Sequence, residues 1–218
     1  MKRIFPCAVI GLAILFSGCE KEPETVTDID GNVYNTVTIG TQVWLKENLR
    51  TTKLNDGTDI PYVTNGTEWQ LLSTPGYCYN DNSWSNAITY GSLYNWYTVN
   101  TGKLCPTGWH VPSSEEWAAL TNYLGGDTLV GGKLKETGTA FWDYPNKGAT
   151  NETGFSALGG GLRDYGSFGE VKRSTHFWSA TEYSNTLGIY FGLYYMTANP
   201  LKTYAGKVCG MSIRCMHD

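Results

Sequence analysis

The sequence predicts an α+β domain in which short helices flank twisted antiparallel sheets joined by many loops. One helix is clearly signalled within residues 113–124, and runs with the alternation of β-strands lie on either side of it. Glycine and aromatic residues are abundant: the chain has 26 glycines, 15 tyrosines and 8 tryptophans, whereas only 17% of its residues are charged. This composition indicates a domain whose loops are packed together by aromatic side chains.

The best-specified element is the helix that follows the segment LCPTGWHVP. Ser113 and Glu116 have the spacing of a capping box, in which each side chain accepts a hydrogen bond from the other residue's backbone N–H. An apolar face follows at helical spacing, formed by Trp117, Leu120 and Leu124. Gly125 then ends the helix, because glycine readily adopts the left-handed conformation of a C-cap.

Alternation and turn residues predict the other elements. Val33–Ile39 alternates as a half-buried strand, and a turn at Gly40 predicts a hairpin with Gln42–Leu45. We expect helices over residues 90–99 and over residues 127–134, the second capped by Asp127. Four short apolar runs are predicted as strands: residues 155–158, 177–180, 188–196 and 208–216.

The first 18 residues are typical of an export signal. Lys2 and Arg3 precede an apolar run over residues 4–16 that is too short to span a bilayer. The run ends in Phe-Ser-Gly-Cys, which resembles the lipobox of bacterial lipoproteins and implies lipidation of Cys19 after cleavage. We therefore expect an exported outer-membrane lipoprotein, facing the cell surface or the periplasm, that contacts the membrane through its lipid anchor alone. The alternative is an ordinary secretory signal with a chance cysteine.

The exported chain is expected to form one domain. Residues 19–27 are predicted to be the lipidated cysteine and a short polar tether, and residues 28–218 the domain itself. Removal of residues 1–18 takes away Lys2 and Arg3, which leaves 14 basic and 20 acidic residues and a net charge of −6. This balance argues against nucleic acid as a partner and against electrostatic binding to anionic lipid.

Four cysteines remain after export and lipidation: Cys78, Cys105, Cys209 and Cys215. An oxidising compartment permits disulfides among them. Four cysteines allow three pairings, and the residues alone do not choose among the three.

The sequence predicts no catalytic residues. His110, His176 and His217 lack the spacing of metal ligands, and no nucleophile elbow or phosphate-binding loop is present in the sequence. His110 is expected to be a hydrogen-bonded structural residue. Glu115 and Glu116 belong to the first turn of a helix, where acidic side chains favour the positive end of the helix dipole.

Several blocks of sequence follow one another from Asp28 to the C-terminus, among them YGSLYNWYTV, LCPTGWHVPSSEEWAAL, GATNETGFSALGGG, FWSATEY and GMSIRC. Their order resembles that of the Fibrobacter succinogenes major paralogous domain family. The resemblance implies a lipoprotein or surface module of Bacteroidetes and Fibrobacter relatives, without a defined biochemical role. The segment GWHVPSSEEW is also similar to the helix-opening motif of formylglycine-generating-enzyme-like proteins. That similarity implies a C-type-lectin-like fold with the chain ends close together.

The C-type-lectin-like arrangement, in which the last strand returns beside an early element, implies a disulfide between Cys105 and Cys215. We then expect Cys78 to pair with Cys209. Cys209 stands where the family is expected to have an aromatic residue, and an added cysteine needs a partner in an oxidising compartment. The competing pair of Cys209 and Cys215 is disfavoured within one extended strand, because six residues span about 20 Å and a disulfide joins Cα atoms about 5.5 Å apart.

Aromatic and polar residues in glycine-flanked loops are the main indication of function. Exposed rings can stack on sugars while neighbouring amides and carboxylates bind the sugar hydroxyls. The predicted ligand-binding residues are Trp84, Trp142, Asp143, Tyr144, Asn151, Glu152, Tyr165 and Phe168. They favour a non-enzymatic binding or adhesion module for a glycan or for an envelope or host protein. The alternative for each ring is burial that holds the loops together.

A calcium ion is a further hypothesis for the same loops. Carboxylate and amide oxygens suit Ca²⁺, and the candidate ligands are Asp143, Asn146, Asn151, Glu152 and Asp164. The competing interpretation is a solvated polar loop, because the sequence lacks the Glu-Pro-Asn and Gln-Pro-Asp triplets of carbohydrate-binding lectins.

Two other function classes stay open. Formylglycine-generating enzymes hold copper with a closely spaced cysteine pair near the C-terminus, and Cys209 and Cys215 are similarly but not identically spaced. Two free thiols at these positions would favour a copper oxidase, whereas structural disulfides would favour a binding module. The third class is a purely structural component of the envelope.

Overall fold

The computed structural model describes residues 24–126 and 128–218. The predicted export signal, the lipidation of Cys19 and the helix cap at Asp127 lie outside the described residues. The described part is an α+β domain with short helices and mainly antiparallel strands, as predicted. None of its helices has the length and apolarity that a membrane span requires.

The described residues form twelve strands and five α-helices. The strands are β1 Thr25–Thr27, β2 Val33–Ile39, β3 Gln42–Leu45, β4 Tyr77–Cys78, β5 Leu93–Tyr94, β6 Trp109–His110, β7 Gly160–Asp164, β8 Ser167–Val171, β9 Ser174–Ser184, β10 Leu187–Tyr194, β11 Leu201–Gly206 and β12 Met216–His217. The helices are α1 Gly66–Gln70, α2 Trp84–Tyr90, α3 Trp96–Val99, α4 Ser114–Tyr123 and α5 Val130–Leu134.

The first and last strands share one sheet, with the order β1-β2-β3-β12-β6. The first and last described strands therefore lie in the same layer, as the C-type-lectin-like resemblance implies. Strand β1 pairs antiparallel with β2, with Val26 opposite Tyr34. The predicted tether over residues 19–27 is thus too long, because Thr25–Thr27 gains strand hydrogen bonds and belongs to the domain.

A second sheet has the order β11-β10-β9-β7-β8, and β4 and β5 form a separate pair. All pairings in the second sheet are antiparallel except that of β7 with β9, which is parallel. Between the two large sheets, Trp117 of α4 stacks on Phe191 of β10 at 4.5 Å and lies 4.8 Å from Trp44 of β3. Aromatic contacts thus connect α4 to both sheets.

Two local predictions are confirmed in detail. The hairpin of β2 and β3 has the predicted bounds, and Gly40 in its turn has a φ of +65°. Helix α4 begins with the predicted capping box: Glu116 N donates to Ser113 Oγ at 3.2 Å, and Ser113 N donates to Glu116 Oε2 at 2.7 Å. Both elements depend on short-range hydrogen bonding that neighbouring residues fully specify.

The helix predicted over residues 90–99 is confirmed only at its two ends. Helix α2 ends at Tyr90, strand β5 follows, and α3 begins only after the N-cap Asn95. Gly91 interrupts the helix with a φ of +79°, and a Cβ at this position would lie 2.7 Å from the Cβ of Asn48. The close approach of these two segments therefore overrides local helix propensity.

The strand predictions in the second half are partly wrong. Residues 155–158 form only a single bridge between Ala157 and Lys135, and residues 208–216 are not one strand. Gly210, Met211 and Ser212 instead bridge to three different segments. Strands β7, β8 and β11 were not predicted, because glycine, lysine and acidic residues interrupt their apolar alternation.

The guanidinium of Arg214 joins the terminal segment to two loops. It donates to Oδ1 of Asn48 at 2.8 Å and to the carbonyls of Leu45 and Phe155 at 3.0 and 2.6 Å. Its carbon lies 4.4 Å from the ring centroid of Phe155. These bonds provide donors to carbonyls that lie beside the buried guanidinium.

Cys105 and Cys215 form a disulfide, as predicted, and close a loop with a sequence separation of 110 residues. The predicted pairing of Cys78 with Cys209 is wrong, since both are buried free thiols. The Cys78 thiol faces Arg163, whereas Sγ of Cys209 lies 3.5 Å from Oδ1 of Asp164. Arg163 and Asp164 are consecutive in β7 and point to opposite faces, so the two thiols lie on opposite sides of this strand.

Replacing both disulfide cysteines (Cys105→Ala with Cys215→Ala) is expected to lower the free energy of unfolding by about 4–5 kcal/mol, because so long a loop is no longer closed in the unfolded chain. Urea denaturation of the purified protein measures the change. Cys78→Ala is the matched control, since it removes one buried sulfur but no covalent link. A loss no larger than that of the control would contradict the prediction.

His176 of β9 is a buried histidine surrounded by tyrosines. Its Nε2 lies 3.2 Å from the hydroxyl of Tyr194, and its ring centroid lies 5.2 Å from that of Tyr190. Burial lowers the pKa of His176 to about 4, because the charged ring would lose its hydration. The folded protein therefore holds the neutral ring at pH values where an unfolded chain would already be protonated.

This difference predicts a loss of stability in acid. Between about pH 6.5 and pH 4 the imidazole of His176 is protonated in the unfolded state but not in the folded state. This difference lowers the free energy of unfolding by about 3 kcal/mol as the pH falls. Urea denaturation at pH 7 and pH 4 should show a smaller loss for His176→Gln than for the native protein. Tyr194→Phe keeps the imidazole and should retain the native pH dependence; equal losses in the native protein and His176→Gln would refute the assignment.

Candidate functional site

Three neighbouring aromatic side chains, the exposed Tyr62 and Trp84 and the half-buried Tyr79, form a run that we call the aromatic face. The ring centroids of Tyr62 and Tyr79 lie 5.1 Å apart, and those of Tyr79 and Trp84 lie 5.5 Å apart. The buried Tyr77 supports them, with its ring 5.2 Å from Tyr62 and 5.7 Å from Tyr79. Trp84 is 63% exposed and Tyr62 is 44% exposed, so the face offers ring surface to a ligand.

The local backbone places these rings side by side. Tyr77 and Tyr79 are two residues apart in an extended segment, which directs both side chains to the same side. Tyr62 forms a parallel bridge with Tyr77. The buried Asn80 fixes the following turn, because its Nδ2 donates to the carbonyl of Gly160 at 2.8 Å. Helix α2 then starts at Trp84.

Arg163 of β7 holds the backbone next to the aromatic face. Its guanidinium donates to the carbonyls of Val63 and Thr64 at 2.7 and 2.8 Å. The guanidinium carbon lies 4.6 Å from the ring centroid of Trp69 and 4.5 Å from that of Phe168. Phe168, which was predicted to bind ligand, is half-buried and stabilises this arginine.

A shallow groove of about 420 Å³, here called the polar groove, begins three residues after Tyr62. Amide, hydroxyl and carboxylate side chains line it: Asn65, Thr67, Gln70, Asp164, Tyr165 and Ser167. Gly66 and Gly166 approach closely at its base, and a Cβ on Gly66 would lie 2.8 Å from the Gly166 carbonyl oxygen. The groove therefore requires both glycines, and its first polar residue, Asn65, follows Tyr62 closely in the chain.

The predicted ligand-binding residues do not form one surface. Trp84 and Tyr165 lie at the aromatic face and the polar groove. The prediction that Trp142 binds ligand at the surface is wrong. Trp142 is fully buried, and its indole N–H donates to the carbonyl of Ala157 at 2.9 Å. Tyr144 is 84% exposed but lies near the other end of the β7–β8 hairpin, where Asp143 N donates to the carbonyl of Lys172.

The predicted calcium ligands form ion pairs and hydrogen bonds with other protein groups. Asp143 pairs with Arg173 at 3.3 Å, and Glu152 pairs with Lys133 at 3.0 Å. The amide nitrogen of Asn146 donates to the carbonyls of residues 136 and 138, that of Asn151 donates to Ser156, and Asp164 lies beside Cys209. Residues 24–126 and 128–218 contain no group of three or more His, Cys, Asp or Glu side chains suited to a metal ion.

The ammonium group of Lys135 organises the loop that carries these residues. Lys135 is fully buried, and Nζ donates to the carbonyls of Lys147, Tyr194 and Thr197 at 3.0, 2.8 and 2.9 Å. It lies 5.4 Å from the ring centroid of Trp142. Burial lowers the pKa of Lys135 to about 8. Three carbonyls thus surround a protein cation in this loop.

The cysteine pair considered for copper does not supply two thiols. Cys215 is bonded to Cys105, which leaves Cys209 as a single free thiol. Burial raises the pKa of Cys209 to about 11 and that of Cys78 to about 12, so both stay protonated at neutral pH. The arrangement predicted for a copper oxidase is therefore not formed.

His110 is hydrogen-bonded, as predicted. Its Nδ1 lies 2.6 Å from Oδ1 of Asp218, and its Nε2 lies 3.0 Å from Oε1 of Glu116. Glu116 is the capping-box residue of α4, and its pKa is lowered because the hydrogen bonds from Ser113 and the nearby His110 outweigh its desolvation. The imidazole thus joins the last residue of the chain to the start of α4.

Sequence reasoning missed Tyr62 and Tyr79. The motif Tyr77-Cys78-Tyr79 contains a usable signal, since alternating tyrosines in an extended segment share one side. Tyr62 carries no comparable signal, because its contact with Tyr77 depends on the pairing of segments that are separated in the chain.

The fold and the site define a small disulfide-linked α+β domain with an aromatic surface next to a polar groove. The sequence model of the Fibrobacter succinogenes major domain matches residues 37–217, and the chain belongs to this family. No curated protein and no solved structure matches the chain. The family assignment confirms the resemblance of the sequence blocks and names no ligand.

Replacing the buried ammonium (Lys135→Met) is expected to lower the free energy of unfolding by about 3 kcal/mol, because three buried carbonyls lose their donor. Thermal and urea denaturation measure the change. Lys133→Met is the control, since it removes the partly exposed lysine two residues earlier and should change stability by less than about 0.5 kcal/mol. Similar losses in the two variants would show that the carbonyl bonds of Lys135 contribute little.

Proposed function

We propose that the protein is a non-enzymatic, surface-anchored binding module that binds a glycan through the aromatic face and the polar groove. The observation that carries the proposal is the aromatic face itself, in which the exposed rings of Tyr62 and Trp84 lie 5.1 and 5.5 Å from the half-buried ring of Tyr79 between them. Large apolar rings at a surface are a common mark of binding sites. Sugar rings present apolar C–H faces that can lie on aromatic rings.

The polar groove supplies the complementary chemistry. Its lining includes the amides of Asn65 and Gln70, the hydroxyls of Thr67 and Ser167 and the carboxylate of Asp164. Such groups can donate to and accept from sugar hydroxyls in the same ligand that stacks on the rings. The open shape of the groove suits an extended chain that passes across it.

The proposed anchor is a lipid on Cys19. Strand β1 starts at Thr25, so only five residues separate the cysteine from the domain. Five residues span at most about 18 Å. A lipid on Cys19 would therefore hold the domain close to the membrane surface, where a binding module meets envelope or extracellular polysaccharide.

Binding of the purified full-length protein to immobilised plant, host and bacterial polysaccharides tests the proposal. Trp84→Ala and Tyr62→Ala are each expected to weaken binding up to about tenfold, because each removes one stacking ring. Tyr144→Ala is the matched control: it is also an exposed aromatic side chain, and it should bind like the native protein. Failure to bind any polysaccharide, or an equal loss in the Tyr144 variant, would overturn the proposal.

A further inference from the structure

A cavity of about 200 Å³ lies between the segment that follows β3 and the helix α2. Its lining includes three cationic side chains, Lys46, Arg50 and Arg214. Asn48 and Ser156 add neutral polar groups, and Glu47 is the one acidic residue among the lining residues. The cavity therefore carries an excess of positive charge.

Arg214 provides a buried charge without a counter-ion in contact. The residue is 1% exposed, and its guanidinium donates to one amide oxygen and to three carbonyls, that of Ser156 at 3.3 Å among them. Within the described residues no carboxylate is hydrogen-bonded to it. Burial of a charged group is unfavourable unless it is compensated. An anion that entered the cavity would add a formal counter-charge to the partial charges of these oxygens.

Glu47, the acidic residue of the lining, does not provide a counter-charge in contact with Arg214. Both carboxylate oxygens of Glu47 accept hydrogen bonds from Asn35, one from the backbone N–H and one from Nδ2, each at 2.8 Å. Glu47 therefore acts on Arg214 only through space. Lys46 has no ion-pair partner among the described residues, and Arg50 donates through Nε to Oδ1 of Asn32 at 3.0 Å.

Helix α2 contributes one residue to the aromatic face and another to the cavity. Trp84 and Ile88 are four residues apart and lie on the same side of this helix. They are 63% and 59% exposed, and Ile88 lines the cavity. Four residues advance a helix by about 6 Å. A sugar that stacks on Trp84 is therefore about one sugar unit from the mouth of the cavity.

We infer that the ligand of the proposed binding function is an acidic glycan, and that this cavity receives its carboxylate or sulfate group. The inference rests on the proposed function for the sugar rings, whereas the anion site stands on the cavity alone. Arg214 contributes a buried charge to the cavity, and the half-buried Lys46 contributes a second charge. Acidic sugars are thereby selected over neutral sugars of the same shape.

Isothermal titration of the full-length protein with three matched galactose-type tetrasaccharides tests the inference. One tetrasaccharide is neutral, one carries carboxylates and one carries sulfate esters, so that the two anionic groups are compared directly. The native protein should bind at least one acidic form about tenfold more tightly than the neutral form, and added salt should weaken the acidic form alone. Lys46→Gln should reduce the affinity for the acidic form about fivefold and leave the neutral form unchanged. Lys133→Gln removes a lysine charge outside the cavity and should have no effect.

A second measurement separates the anion site from the stacking surface. Glucuronate and inorganic sulfate are titrated into the native protein and into Trp84→Ala, with the signals of the arginine side chains followed by NMR. Shifts of Arg214 in both proteins, reduced in Lys46→Gln, would support the cavity even if no tetrasaccharide bound, and only the proposed function would then fail.

Two results would overturn the inference. One is equal affinity for neutral and acidic tetrasaccharides with no effect of Lys46→Gln, which would leave glycan binding itself intact. The other is the absence of any Arg214 shift with either anion.

Discussion

Buried basic side chains that donate to backbone carbonyls hold this loop-rich domain together. Backbone carbonyls buried in loops are costly unless a donor reaches them. Arg214 bonds the ends of two loops to the terminal segment, Lys135 gathers three carbonyls from the second half of the chain, and Arg163 fixes residues 63 and 64. Each cation also lies near aromatic rings, which favour positive charge at their faces. The many aromatic residues and these three cations therefore stabilise the same buried loops together.

The same interactions connect the interior to the surface. Arg163 holds the backbone that directly follows Tyr62, so the aromatic face is positioned from inside the domain. Arg214 binds the carbonyls of Phe155 and Ser156, and Ser156 lines the cationic cavity. Stability and the geometry of the surface are consequently coupled, because the residues that these arginines hold continue directly into surface groups. Surface residues such as Trp84 and Lys46 allow the two effects to be measured separately.

The parts of the fold that short-range chemistry specifies could be predicted from the sequence. The capping box at Ser113, the turn at Gly40 and the α+β class depend on neighbouring residues and on composition. The burial of Trp142 could not be predicted, because its glycine-rich surroundings are typical of an exposed loop. Its ring is buried through contacts with distant residues, among them the ammonium group of Lys135. The failure of Cys78 and Cys209 to form a disulfide could not be predicted either, because it depends on which face of β7 each thiol contacts. For the candidate site, Trp84 and Tyr165 were predicted, whereas Tyr62 and Arg214 depend on contacts between distant segments.

The position of the disulfide divides the chain mechanically. A pulling force applied between an N-terminal anchor and the C-terminus would pass from Cys105 directly to Cys215, so the residues between them would carry no load. Residues 25–104, which include the aromatic face, lie outside this covalent loop and could be drawn out to about 270 Å. The covalent loop retains Lys135, Arg163 and Arg214 together with the second sheet. Under such tension the aromatic face would unfold first, while the disulfide kept the interior of the second half closed.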